Sequence, residues 1–462
     1  MLQTKPFTIN EQLNKAKEYM DTVNQTQLMV SLVEKVNFIN PVQFFSYYQN
    51  QDLLRLFWRD SEDSFYLVGI GNYKTIQSHQ NRFHSVQQQW EGLLTDFFIP
   101  NDSVKGTGPL MLGGFSFNDS VMDDKWKTFQ SGLMVVPEAM LTVIQGECYM
   151  TYNVTVNENT DVDALTTKLK QWTENINDQY ESNVPQQLQT TNSLDYRNWE
   201  QLIRDAVNRI KNGTLGKVVL ARELEAEFNQ SIDLNNVLKK LVEQQKDSFI
   251  YIFDYGDDAF ISATPERLVK VDENELLSTC LAGTIKRGDS LKEDDLLAQS
   301  LLNDEKNRSE HQYVVSMIKE AIEPLTHSID LPSQPEILQL RTLQHLYTPV
   351  TAILKDSYTI FDLIEKLHPT PALGGEPRQA AVMFIKENEP FERGWYAGPV
   401  GWIDAHGNGE IIVAIRSALI NQNKATLFAG CGIVEESDPY EEYEETKLKF
   451  TPMLEALGGI SR

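Results

Sequence analysis

The residues best suited to chemistry in this 462-residue chain gather in GIVEESDPYEEYEETKLKF, over 432–450, where seven carboxylates lead into a helical pattern. Proline is favoured at the first position of a helix, so Pro439 marks the start. Counted from there, Glu442, Glu445 and Lys449 fall at i, i+3 and i+7, within about 60° of one another on one face. Glu441 and Glu444 point away from it. Taken alone, such a charge run reads as a solvated acidic helix. Two features set it apart: a Gly430-Cys431-Gly432 turn just upstream, and a second acid-rich helix start in NDEKNRSEHQYVV over 303–315. Two carboxylate-bearing helices and a glycine turn could hold a hard cation. Elsewhere, Lys217 heads the strand pattern Val218-Val219-Leu220, where burial lowers a lysine's pKa and frees its amine as a base. Glu266 stands at the proline turn of SATPERLVKV, where a carboxyl group kept protonated can serve as a general acid. Each also has an ordinary structural reading, a snorkelling lysine at a strand end and a turn carboxylate paired with Arg267.

The elements that must position these groups are legible from about residue 195 onward. A helix with apolar positions at Trp199, Leu202, Ile203, Ala206, Val207 and Ile210 ends at Asn212-Gly213, where glycine takes the left-handed cap. Strands follow in GKVVLARELEAEF, in FIYIFDYGDDAFISATPERLVKV across a Tyr-Gly-Asp-Asp turn, and in ELLSTCLAGTIKRG with its glycine turn. Helical stretches at about 291–323 and 359–366 interrupt them. Two more strand pairs, in GWYAGPVGWIDAHGNGEIIVAIRSALI and KATLFAGCGIV, precede the acidic helix. Before residue 150 strand-like runs such as FYLVGIG over 65–71 alternate with polar helical segments. Gly69 and Gly71 lack the third glycine and the helix of a dinucleotide site, so they read as a turn. Residues 157–194 are poor in apolar side chains and read as a helix plus a surface connection. Hairpins dominate without βαβ alternation, so the expected fold class is α+β, with antiparallel sheets flanked by helices.

Composition excludes several partners. With 41 Lys and Arg against 66 Asp and Glu, the net charge is −25, which disfavours nucleic acid and anionic membrane surfaces. Cys148, Cys280 and Cys431 are too few and too far apart for a disulfide framework or a zinc site, and read as free thiols in a reducing compartment. The apolar runs stop short of a membrane span and the N-terminal segment has no signal-like apolar core, so a cytoplasmic protein is expected.

Taken together, KVVLAR, SATPERL, AGTIKRG, KNRSEH, QHLYTPVTA, HPTPALGGEPRQAA, GWYAGPVGW, AIRSA, AGCGIVEESDP and EEYEETKLK resemble, in order and spacing, the chorismate-utilising enzyme family. The resemblance is strong over 195–462, the expected chorismate-binding catalytic region. Over 1–190, the expected N-terminal portion of the sandwich, it rests on LGGFSF (112–117) alone. It implies an α/β sandwich of two antiparallel sheets and a requirement for Mg²⁺. It also implies that Lys217 activates a water for attack at C2 of chorismate and that Glu266 protonates the departing C4 hydroxyl. Glu310 and Glu445 correspond to the metal ligands, with Glu442 bonded behind them; Asn307 stands where some relatives carry another carboxylate. Arg416, Tyr396, Lys449 and the backbone N–H groups of Gly430 and Gly432 correspond to the carboxylate-binding set, and His345 lies near the reacting ring. Aminodeoxychorismate-forming relatives tend to carry a lysine at position 282, and anthranilate- and salicylate-forming ones a threonine at 372. Ala282 and Ala372 therefore imply attack by water and a reaction that stops at isochorismate, on the way to menaquinone, with salicylate formation or a siderophore route as alternatives.

Overall fold

The computed structural model describes residues 8–49, 51–100, 104–119, 123–174, 176, 186–193, 195–340 and 343–459. The first seven residues of the N-terminal segment, and all of 177–185 within the polar connection, lie outside that set. Among the described residues the strands form two sheets. The larger runs from Leu188–Ser193 through Lys217–Phe228, Lys424–Ile433, Ser417–Asn421, Asp258–Thr264 and Phe249–Tyr255. It continues into Arg55–Arg59, Phe65–Ile70, Ala139–Ile144, Glu147–Asn157, Gln27–Val36 and Phe97–Phe98. The smaller runs from Thr326–Asp330 through Leu343–Leu354, Glu275–Lys286, Arg267–Asp272, Gly409–Val413 and Pro399–Asp404 to Leu110–Phe115, Gly132–Val136 and Lys74–Ser78. Both sheets thus take strands from either side of residue 190. Pairing is antiparallel as expected, except where Phe97–Phe98 joins Gln27–Val36 in parallel. No helix among the described residues is long and apolar enough to cross a membrane.

The strand Phe249–Tyr255 shows how the layers form. Strand side chains alternate between faces, so Phe249, Tyr251 and Phe253 enter the core between the sheets. Ile250 and Ile252 enter a second core under the outer helices. Burial on both faces explains why FIYIF reads as an unbroken apolar run.

Two sequence expectations need correction, and one helix was not anticipated. Gly430-Cys431-Gly432 is not a turn but the end of the strand Lys424–Ile433. Leu188–Ser193, assigned to a surface connection, is an edge strand; its side chains are half-buried or exposed, so it carried no hydrophobic signal. The helix Arg378–Asn388 was hidden by the Pro and Gly residues of HPTPALGGEP just before it. The helix Tyr196–Lys211 ends where expected, with Gly213 at φ 73°. The acidic helix is Pro439–Leu457, with Pro439 at its start, Asp438 accepting from Tyr440 and Glu441 N–H, and Pro452 inside it.

One buried cation fastens that helix to the sheet. Arg222, 2% exposed, donates through Nε to Thr446 Oγ1 at 2.7 Å and through Nη2 to the Tyr443 carbonyl at 3.2 Å. Its guanidinium lies 3.9 Å from the Tyr443 ring centroid. Arg222→Leu is expected to lower unfolding stability by about 2–3 kcal/mol, the scale of hydrogen bonds made by a charged donor. A drop in the urea midpoint at unchanged slope checks this.

Candidate active site

The sequence-selected residues converge on a single cavity. It measures about 870 Å³ and is lined by Lys217, Glu266, Ala282, Asn307, Glu310, His345, Ala372, Tyr396, Arg416, Gly430, Gly432, Glu442, Glu445 and Lys449 among others. A second cavity of about 630 Å³ beside the helix Arg378–Asn388 contains none of them.

The pairing of Lys217–Phe228 with Lys424–Ile433 builds the floor, in a register that sets Val219 opposite Gly432 and Ala221 opposite Gly430. A side chain at either glycine would crowd its neighbours, most firmly at Gly430, where the Leu220 carbonyl also lies 3.0 Å from the Cβ position. A Cβ at Gly432 would stand 2.9 Å from Lys217 Cε, and one at Gly430 would stand 2.9 Å from Tyr396 Oη. The neighbouring strand Ser417–Asn421 ends its pairing at Ser417 opposite Phe428. Beyond Phe428 the edge has lost that neighbour, and by the alternation of an antiparallel ladder the N–H and C=O groups of Gly430 and Gly432 open toward the cavity. Lys449 Nζ uses one of them, donating to the Gly430 carbonyl at 2.8 Å. Arg416, with φ 50°, turns the chain just before Ser417 and reaches the same space.

The carboxylates arrive from two helices. Glu310, on Glu305–Ile322, is paired with Lys217 Nζ; Glu445, on the acidic helix, is paired with Lys449 at 2.6 Å. His311, next to Glu310, anchors its helix to the smaller sheet through the Ala282 carbonyl at 3.1 Å and Thr348 Oγ1 at 2.7 Å. Glu442 stands on the cavity wall as the helical spacing predicts, and Glu444 turns outward to Lys447 at 2.5 Å. Burial, and then the neighbouring Glu445, push the Glu442 carboxyl up, against hydrogen bonds from Ser437 and Cys431. Hard carboxylate oxygens presented by two helices to one cavity suit Mg²⁺, which takes one or two protein carboxylates and fills its octahedron with water and substrate oxygens. Among the described residues no three His, Cys, Asp or Glu side chains stand close enough to hold a metal by themselves, so such an ion needs those other oxygens. The Asn307 amide is held by Asp304 Oδ1 at 2.8 Å.

Glu266 follows the strand Asp258–Thr264 and is enclosed in the wall of the cavity. That enclosure raises its pKa to about 7, although the Lys449 and Lys217 charges pull the other way. His345 is lowered to about 4 by burial and by the Arg416 and Lys449 charges, so its ring is neutral near pH 7. Its Nδ1 shares a hydrogen bond of 2.9 Å with Thr284 Oγ1. Thr284 was not singled out from the sequence, although it lies in AGTIKRG; a bulge at Gly283, φ 80°, aims it. Tyr396 lies stacked on Phe428 with ring centroids 5.1 Å apart, and burial raises its hydroxyl pKa. Burial likewise lowers the Arg416 guanidinium.

Comparison with known proteins places this geometry. The profile of the family described as chorismate binding enzyme matches residues 11–458. The chain is 40% identical over 460 residues to isochorismate synthase MenF of Bacillus subtilis, covering 97% of each chain. It is 34% identical over 441 residues to the salicylate biosynthesis isochorismate synthase of Pseudomonas aeruginosa, covering 94% of this chain and 91% of that one. The solved structure of MenF, the menaquinone-specific isochorismate synthase from Escherichia coli, superposes with a TM-score of 0.80 at 23% identity, over 96% of this chain and 100% of that one; at that identity it speaks for the fold.

The shift at Glu266 has a consequence for stability. Between its ordinary 4.5 and about 7, the folded protein keeps a proton that the unfolded chain releases, so this group's contribution declines as pH rises through that window and is flat above it. Glu266→Gln is expected to match the wild type near the low end and to exceed it above pH 7 by on the order of 3 kcal/mol. Chemical denaturation at a series of pH values checks the sign.

Proposed function

The chain belongs to the chorismate binding enzyme family, and on that premise we propose that it is an isochorismate synthase. The reaction is the reversible, Mg²⁺-dependent conversion of chorismate to isochorismate, an isomerisation in which a hydroxyl gained from water at C2 replaces the one lost from C4. One observation carries the reading: the Lys217 amine and a carboxyl group whose pKa lies at about 7 share one cavity. An allylic displacement by water needs this pair, since water is a poor nucleophile and hydroxide a poor leaving group. Lys217 takes a proton from the water that attacks C2, and Glu266, partly protonated at neutral pH, gives one to the departing C4 hydroxyl. Lys217 Nζ donates to Glu310 in the resting arrangement, so to work as a base it must leave that pair and first give up a proton.

Arg416, Lys449, Tyr396 and the backbone N–H groups of Gly430 and Gly432 receive the substrate carboxylates. His345, held neutral, stands by the ring as a hydrogen-bonding wall. Glu310 and Glu445 would hold Mg²⁺, with Glu442 behind them; when bound, the ion neutralises a substrate carboxylate and helps to fix its place. Ala282 offers no nucleophile and Ala372 no hydroxyl, which favours water as the attacking group and isochorismate as the end point. Residues 195–462 carry the site and 1–190 complete the sandwich around it. Menaquinone formation in the cytoplasm is the setting we assign, and the three buried free thiols fit a reducing compartment.

Two outcomes test this. Pure protein given chorismate and Mg²⁺ is expected to yield isochorismate, reaching the same mixture from either side and releasing little pyruvate in a lactate dehydrogenase-coupled assay. Stoichiometric pyruvate from chorismate alone would identify a salicylate-forming lyase, and pyruvate that needs ammonium an anthranilate-type enzyme. Lys217→Ala and Glu266→Gln are each expected to lower kcat by about 10² or more with chorismate binding still measurable by calorimetry. Glu310→Gln and Glu445→Gln are expected to abolish turnover and weaken Mg²⁺ in the same calorimeter without lowering thermal stability. Near wild-type turnover in any of the four removes that residue from its role.

A further inference from the structure

The strand Lys217–Phe228 has a gap on its outer edge. Glu376 and Gly375 pair with Lys217 and Val218, and Leu188–Ser193 pairs only from Leu224 onward. Between these, the outward backbone groups of Val219 and Ala221 have no strand beside them. They are met instead by Gly374, whose carbonyl accepts from Val219 N–H at 3.0 Å, and by two charged side chains. Glu389 Oε1 accepts from Ala221 N–H at 2.8 Å, and Arg393 Nη2 donates to the Val219 carbonyl at 2.8 Å. Arg393 and Glu389 are themselves joined by two hydrogen bonds, at 2.8 and 2.5 Å, and their side chains are 2% and 1% exposed.

The same guanidinium reaches further. Nη1 donates to the Leu373 carbonyl at 3.0 Å, one residue past Ala372. Its plane lies 4.4 Å from the Phe117 ring and 5.8 Å from the Tyr396 ring. Phe117 closes the LGGFSF element and is pinned by its N–H to the Gly394 carbonyl at 2.7 Å. One buried ion pair therefore touches the strand that carries Lys217, the loop that carries Ala372, and the wall that carries Tyr396.

We propose that Glu389 and Arg393 form a positioning pair for the reaction, holding Lys217, the Ala372 loop and Tyr396 in a common register. A charged pair taken out of water adds little stability by its own attraction. What it does supply is directional hydrogen bonds to three segments at once, on the side of the sheet where no strand can provide them. The pair acts on turnover more than on binding, because the attacking water must be aligned with the ring to within a fraction of an ångström.

The inference rests on the reading of this cavity as the isochorismate-forming site. Arg393→Lys and Glu389→Gln are made, their folding is confirmed by circular dichroism, and chorismate binding by calorimetry is set against steady-state rates. Arg393→Lys is expected to bind chorismate within about threefold of wild type while kcat falls by about 10², the scale of a small misplacement. Glu389→Gln, which still accepts from Ala221, is expected to lose about tenfold in kcat. Unchanged kcat in either folded variant beside an active wild type overturns the positioning role, as does a loss of binding that equals the loss of rate. Should Arg393→Lys not fold, Glu389→Gln decides alone. A wild type that forms no isochorismate counts instead against the proposed reaction, and the positioning role falls with it.

Discussion

Everything in the active site hangs on one ladder, the antiparallel pairing of Lys217–Phe228 with Lys424–Ile433. Residues directly opposite in such a ladder put their side chains on the same face. Setting Val219 against Gly432 and Ala221 against Gly430 therefore leaves bare backbone where the Lys217 chain and the Tyr396 hydroxyl must lie. A slip of one residue would bring Cys431 into that place and turn the neighbouring side chains to the other face. Arg222, from the same strand, then carries the register to the acidic helix, so Glu442, Glu445 and Lys449 are placed by the same hydrogen bonds that place Lys217.

An acidic protein that takes a dianion has an electrostatic conflict, and distance decides it. At physiological ionic strength charges more than about 8 Å apart across solvent are largely screened, so most of the −25 is not felt inside the cavity. The nearby groups are, and Lys217, Lys449 and Arg416 are held there. Two of the three stand on Glu310 and Glu445, which gives the pocket matched charges that can exchange partners. Glu266, enclosed with them, is the carboxyl that burial raises to about 7.

The residues that share the cavity, and the fold class, were more legible in the sequence than the strand ends and edges were. The family resemblance, carried by residue types at set spacings, singled out Lys217, Glu266, Glu310 and Glu445, which the structure brings to one cavity, and the helical face of Glu442, Glu445 and Lys449 followed from counting. The strand ends and edges were harder. Gly430-Cys431-Gly432 looked like a turn because glycine is rare within strands; its reason there is close approach by Lys217 and Tyr396, a tertiary fact with no local signature. Leu188–Ser193 lacks alternation because neither of its faces is deeply covered. Arg393 sits beside a quoted motif, and its spacing of four from Glu389 reads as an ordinary surface pair; only the three-dimensional gap in the strand edge shows otherwise.

The glycine strand has a wider meaning. A sheet edge with bare backbone and no side chains to obstruct it is, in most proteins, the place where another chain adds itself and aggregation begins. Here the same exposed edge is roofed by the acidic helix and a lysine, so the hydrogen-bonding hunger that would draw in a foreign strand is offered only to a guest small enough to enter the cavity. Molecular recognition and resistance to misassembly are in this protein a single property, and the helix that supplies carboxylates to the site is also the guard on its edge.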